Sequence, residues 1–107
     1  MEFIEFKIEP IVNLDVTSKI IGDALDLHFE KDTSGFYEEF PAYVAKHDSV
    51  EFTILGNPDP EDDIRDDPTD HFALIIESES DINHDKVIQY ISSKLSKDSR
   101  IEFSIID

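Results

Sequence analysis

Apolar and polar residues alternate from the start of the chain. Ile4, Phe6 and Ile8 fall on one face and Glu5, Lys7 and Glu9 on the other, which predicts a half-buried strand over residues 3–12, limited at its far end by Pro10. The period then changes. Ile20, Ala24 and Leu27, flanked by Ile21, Leu25 and His28, follow helical spacing over residues 16–30, with Asp15 or Thr17 as the N-cap and Asp23, Asp26 and Glu30 on the outer face. Gly22 weakens this helix. Residues 49–55 alternate again, with Val50, Phe52 and Ile54 inward. His71–Glu77 is a continuous apolar run, as expected of an internal strand covered wholly or partly on both sides.

The clearest helix is Asp81–Lys97. His84, Ile88, Ile91 and Leu95 share a face widened by Val87. Asp81 is the candidate cap, and Asp85 early and Lys94 and Lys97 late suit the helix dipole. Residues 100–106 close the pattern as a strand with Ile101, Phe103 and Ile105 inward. Residues 31–48 are ambiguous. Lys31–Gly35 reads as a turn, and Phe36–Val44 as a short helix with Pro41 in its first turn or as an extra strand.

The order β-α-(α or turn)-β-β-α-β predicts an α+β fold: a single-layer antiparallel four-stranded sheet with two helices on one face, the ferredoxin-like split β-α-β arrangement. Its crossovers would be right-handed. The 107 residues suit one domain, 1–107, and with 39% hydrophobic residues, including eight Phe and fifteen Ile, they can fill a core. There are no internal repeats.

Charge changes the picture most. The chain has 26 Asp and Glu against 9 Lys and Arg, a formal net charge of −17. Residues 1–80 carry 21 acids and 5 bases, a net of −16, and residues 81–107 carry 5 acids and 4 bases, a net of −1. Asp59–Asp70 is the densest stretch, with seven acids in twelve residues and only Arg65 opposing them. It lies within a Pro-rich loop, 56–70, holding Pro58, Pro60 and Pro68, which oppose both helix and ladder. A loop of this length is expected to be functional, mobile or disordered.

Repulsion on this scale lowers the stability of a compact state, and a cationic protein surface is its natural complement. Nucleic acid and anionic membrane are poor direct partners. Salt adaptation usually favours Ala and Arg, whereas this chain has four Ala, two Arg, seven Lys and fifteen Ile. Solubility explains a charge of a few units better than −17.

Catalytic chemistry has little purchase. There is no Cys, which excludes disulfides and thiolate sites and is compatible with the cytoplasm. Met1–Lys7 lacks the basic and apolar regions of a signal peptide. No apolar run reaches transmembrane length. The acidic loop lacks the Gly and terminal Glu of an EF-hand, and its prolines prevent that wrap. Exposed acids are not tuned for acid–base work. His28, His47, His71 and His84 lack ligand spacing and read as core or boundary residues. No Gly-x-Ser-x-Gly elbow or Gly-rich phosphate loop occurs. The expectation is therefore a protein that is not an enzyme, with no catalytic residues, metal site or cofactor.

Phe36-Tyr37-Glu38-Glu39-Phe40-Pro41-Ala42-Tyr43 mixes aromatics with acids. Tyr gives large contact area at low entropy cost and is frequent at binding hot spots, although aromatics also fill cores. Phe36–Tyr43 followed by Asp59–Asp70 resembles the profile of the immunity proteins that neutralise bacterial polymorphic or contact-dependent toxins. That resemblance implies a stoichiometric inhibitor whose acidic face covers a basic active site, often that of a nuclease. Asp59, Glu61, Asp62, Asp63, Asp66 and Asp67 would steer a basic protein, and Glu38, Glu39, Tyr37 and Tyr43 would supply the packed centre. Two other readings remain open: a nucleic-acid mimic that binds a DNA-binding protein, and a small regulatory or ligand-binding domain whose acids merely solvate it.

Overall fold

The computed structural model describes residues 2–34, 36–37, 40–58, 61 and 70–106. Within them the elements are β1 (Glu2–Ile8), α1 (Leu14–Leu25), β2 (Glu30–Lys31), β3 (Ala42–His47), β4 (Val50–Leu55), β5 (Phe72–Ser78), α2 (His84–Ser96) and β6 (Phe103–Ile106). The fold is α+β with two helices and an open antiparallel sheet. The sheet has six strands rather than four, in the order β2-β3-β4-β5-β1-β6. Of the two further strands, β3 comes from the ambiguous region, where the extra-strand alternative holds and Pro41 precedes β3 instead of opening a helix, while β2 takes Glu30 from the expected end of the first helix and Lys31 from the expected turn.

One core explains the pattern. β1 and β5 pair so that Ile4, Phe6 and Ile8 stand opposite Ile76, Leu74 and Phe72. Side chains alternate across a strand, so these six share a face. Ile54 extends it, and Ile20, Ile21 and Leu25 of α1 cover it together with Ile91 and Leu95 of α2. Both helices thus lie on the same side of the sheet. Each fully buried aliphatic or aromatic side chain here contributes about 1.5–3 kcal/mol. β5 is central, and its burial alternates, complete toward the helices and partial on the other side.

Both helix starts are capped by Asn rather than Asp. The Asn13 side chain accepts from the Val16 N–H, and the Asn83 side chain from the Lys86 N–H. Thr17 lies inside the first turns of α1. Its hydroxyl donates to the Asn13 carbonyl at 2.7 Å and accepts from the Ile11 N–H at 2.8 Å, which anchors the β1–α1 connection. α1 ends at Leu25, earlier than its periodicity suggests, because Asp26 takes the left-handed conformation and the Leu27 N–H turns back to the Gly22 carbonyl. Leu27 and His28 therefore lie beyond the helix. β3 and β4 form a hairpin closed by Asp48-Ser49, with Asp48 at φ 55°.

Candidate partner-binding surface

The sheet face away from the helices is built from the alternate residues of the same strands. Glu5, Ile75, Thr53 and Val44 form one row across β1, β5, β4 and β3. Glu77, Glu51 and Lys46 form a second row nearer the β3–β4 hairpin, and Ala73, Leu55 and Ala42 a third at the other end. Among the described residues no helix covers this face. Tyr37 reaches over it instead: its phenol lies 3.2 Å from the hydroxyl of Thr53, which is buried. Phe36 packs edge-on against Tyr37 with ring centroids 5.0 Å apart and remains 78% exposed.

The electrostatics of this face are strained. Glu51 and Glu77 stand directly opposite one another on neighbouring strands, and like charges so placed are destabilising. Lys46 Nζ approaches Glu51 at 3.9 Å. The same two acids, with Lys46, Asp48 and Glu79, surround an open cavity of about 270 Å³. Burial raises the Tyr37 phenol above its ordinary pKa, the hydrogen bond to Thr53 opposes this, and the carboxylates of Glu51, Glu77 and Asp32 add to the rise.

The candidate residues separate. Tyr37 and Tyr43 do not share a packed centre. Tyr43 pairs with Ile54, whose side chain enters the core, so Tyr43 faces the helix side while Tyr37 lies on the opposite side. Its phenol donates to Asp15 Oδ1 in the first turn of α1, and that hydrogen bond is the main reason its pKa is raised. Glu61 is exposed. Asp59, Asp62, Asp63, Asp66, Asp67, Glu38 and Glu39 lie outside the described residues, as does most of the loop 56–70. Its root is described. The Gly56 N–H donates to the Pro41 carbonyl at 2.8 Å, so the aromatic segment and the start of the acidic loop adjoin at one end of β3 and β4.

Glu51 and Glu77 escaped the sequence reading because each is an unremarkable strand acid until the register sets them together. The histidines also differ from expectation. His28, His47 and His84 are exposed and only His71 is half-buried. Among the described residues no group of three or more His, Cys, Asp or Glu is placed to hold a metal ion, and no helix is long and apolar enough to cross a membrane. Comparison with protein-family models, curated proteins and solved structures finds no match.

Proposed function

We propose that this protein is an acidic, non-enzymatic inhibitor of the immunity type, acting in the cytoplasm by covering a basic surface or active site of a partner toxin such as a nuclease. The observation that carries this reading is Glu51 set against Glu77 on the sheet face away from α1 and α2, beside the exposed ring of Phe36. Repulsion kept within the fold is relieved when a cationic surface docks. The surrounding field of a −17 chain steers such a partner toward it. Asp59, Glu61, Asp62, Asp63, Asp66 and Asp67 extend that field from the loop. Its described root adjoins the Phe36–Tyr43 segment.

The fold reading that accompanies this is an enlarged ferredoxin-like sheet. The order β4-β5-β1-β6 supports it, being that of a split β-α-β unit with β3 and β2 added beyond β4.

The test is affinity capture from extract of the native host at low salt, eluted with a salt ramp and identified by mass spectrometry. A single basic protein is expected, leaving early in the ramp. A set of DNA-binding proteins eluting together would replace inhibition by nucleic-acid mimicry. Capture of nothing specific would leave a regulatory or ligand-binding domain whose acids serve solubility.

A further inference from the structure

The sheet ends in two edges of different character. β2, at one end, is two residues long and carries Glu30 and Lys31, the brevity and charge with which sheets usually blunt an edge. β6, at the other, is Phe103-Ser104-Ile105-Ile106, with no charge and no proline. Among the described residues no strand pairs with its outer side. Ser104, Ile105 and Ile106 are exposed, the two isoleucines by 43% and 37%.

Register fixes what that edge offers. The Glu9 N–H donates to the Glu102 carbonyl at 2.9 Å, and from there Ser104 stands opposite Lys7 and Ile106 opposite Glu5. Hydrogen-bonded and non-bonded positions alternate along an antiparallel pair. The backbone groups of Glu102, Ser104 and Ile106 therefore turn to β1, and those of Phe103 and Ile105 turn outward. Phe103 and Ile105 stand opposite Ile8 and Phe6, which places their side chains on the helix side. The edge thus presents unpaired N–H and C=O groups framed by apolar side chains.

The charge distribution selects the occupant. A basic partner is steered toward residues 1–80, which carry −16, whereas residues 81–107, which hold β6, carry −1. This is the part of the chain where a second copy meets least like charge. The strand is also self-complementary. Antiparallel pairing about a two-fold axis at Ser104 sets Phe103 opposite Ile105 of the second copy, Ser104 opposite Ser104 and Glu102 opposite Ile106, so no acid faces an acid directly across the new pair.

We infer that β6 is a self-association edge, at which two copies of this chain join their sheets through roughly four backbone hydrogen bonds. The contact is short, so the dimer is weak and depends on concentration. Backbone and apolar contacts hold it against the repulsion of two −17 chains, so added salt strengthens it. Contact with a basic partner has the opposite salt dependence, and the edge does not rest on the inhibitor reading.

The test has two arms. The first is sedimentation velocity across a wide range of protein concentration at low and high salt. A dimer that grows with concentration and with salt is expected. Ile105→Lys puts a charge on the edge and should weaken the dimer at least about tenfold, although it lowers the net negative charge. No dimer under any of these conditions, or one unchanged by Ile105→Lys, overturns the inference. The second arm uses Ser104→Cys, the only cysteine in that chain. At the two-fold axis the two Cα atoms would lie about 4.5 Å apart, within disulfide reach. Oxidised glutathione should cross-link Ser104→Cys but not Ser93→Cys, which is exposed on α2 in the same weakly charged part of the chain. Equal cross-linking of the two overturns the β6 pairing. In the host-extract capture, Ile105→Lys should retain the basic protein as the wild type does. Its loss would give the edge to that partner and overturn the second copy as occupant.

Discussion

Glu51 and Glu77 oppose one another across β4 and β5, so the fold places two carboxylates at a position where neighbouring strands usually put complementary groups. Lys46 answers only one of them, at 3.9 Å. Removing either charge should stabilise the protein. Glu77→Gln is expected to gain about 0.2–1 kcal/mol in denaturant unfolding, with the gain shrinking as salt screens the pair. On the inhibitor reading the same variant associates more slowly with its partner at low salt. A variant no more stable than the wild type at low ionic strength would show that the two carboxylates do not repel.

Tyr43 ties β3 to the first turn of α1 through Asp15, and Tyr37 seals Thr53 on the opposite face. Both phenols titrate above their ordinary value. The sign follows from linkage. A group whose folded pKa is raised contributes its stability below the unfolded pKa and loses it as pH rises through the folded value. Stability should therefore fall above about pH 10, where the unfolded chain releases phenolic protons first. Tyr43→Phe should cost about 0.5–1.5 kcal/mol near neutrality and reduce the alkaline loss. Chemical denaturation at pH 7 and pH 10.5 measures both effects.

The elements legible in the sequence are those whose signals are local. The alternation of Ile4, Phe6 and Ile8, the run 72–76 and the stripe Ile88, Ile91 and Leu95 each report burial within a few residues, and all lie on the core side or partly within it. β2 and β3 were not fixed because they add little to that core. β2 is two exposed residues, and β3 has Pro41 before it and a hairpin turn, Asp48-Ser49, without the Gly that marks most such turns. The caps were misplaced for a related reason. Asp, Thr and Asn are all acceptable, and only the geometry selects Asn13 and Asn83. The candidate surface depended on register, which no local pattern carries. Tyr37 and Tyr43 are six residues apart, yet the chain passes them to opposite faces.

Gly22 is a case where propensity and packing point in opposite directions. In a helix interior Ala is preferred to Gly by roughly 1 kcal/mol. Here a Cβ would lie 2.7 Å from the Leu27 carbonyl oxygen, a backbone atom held by the turn that ends α1, and 3.3 Å from the Phe29 ring. Backbone cannot rotate away as a side chain can. Gly22→Ala is therefore expected to destabilise by about 1–3 kcal/mol despite its better propensity. Thermal and denaturant unfolding decide the sign, and a gain in stability would mean that the Asp26–Phe29 turn yields.

Asp98 offers a test at the acid end. Its carboxylate accepts from the Arg100 backbone N–H at 3.0 Å and from two guanidinium nitrogens at 3.0 and 2.7 Å. The guanidinium and then the backbone N–H favour the charged form, lowering its pKa to about 2. A depressed pKa contributes stability that is present above the unfolded value and lost as pH falls through the folded one. The unfolded value is about 3.9, so the contribution should disappear between about pH 4 and pH 2. Acid also lowers the net negative charge of the −17 chain, which relieves its self-repulsion. Mild acid should therefore act on the protein in two opposed ways. Carboxyl carbon shifts followed by NMR between pH 5 and pH 1.5 separate them. Asp98 should titrate with a midpoint near 2, and Arg100→Gln should return it toward its ordinary value. An Asp98 midpoint near 4 in the wild type would mean that the Asp98–Arg100 pair does not persist in solution.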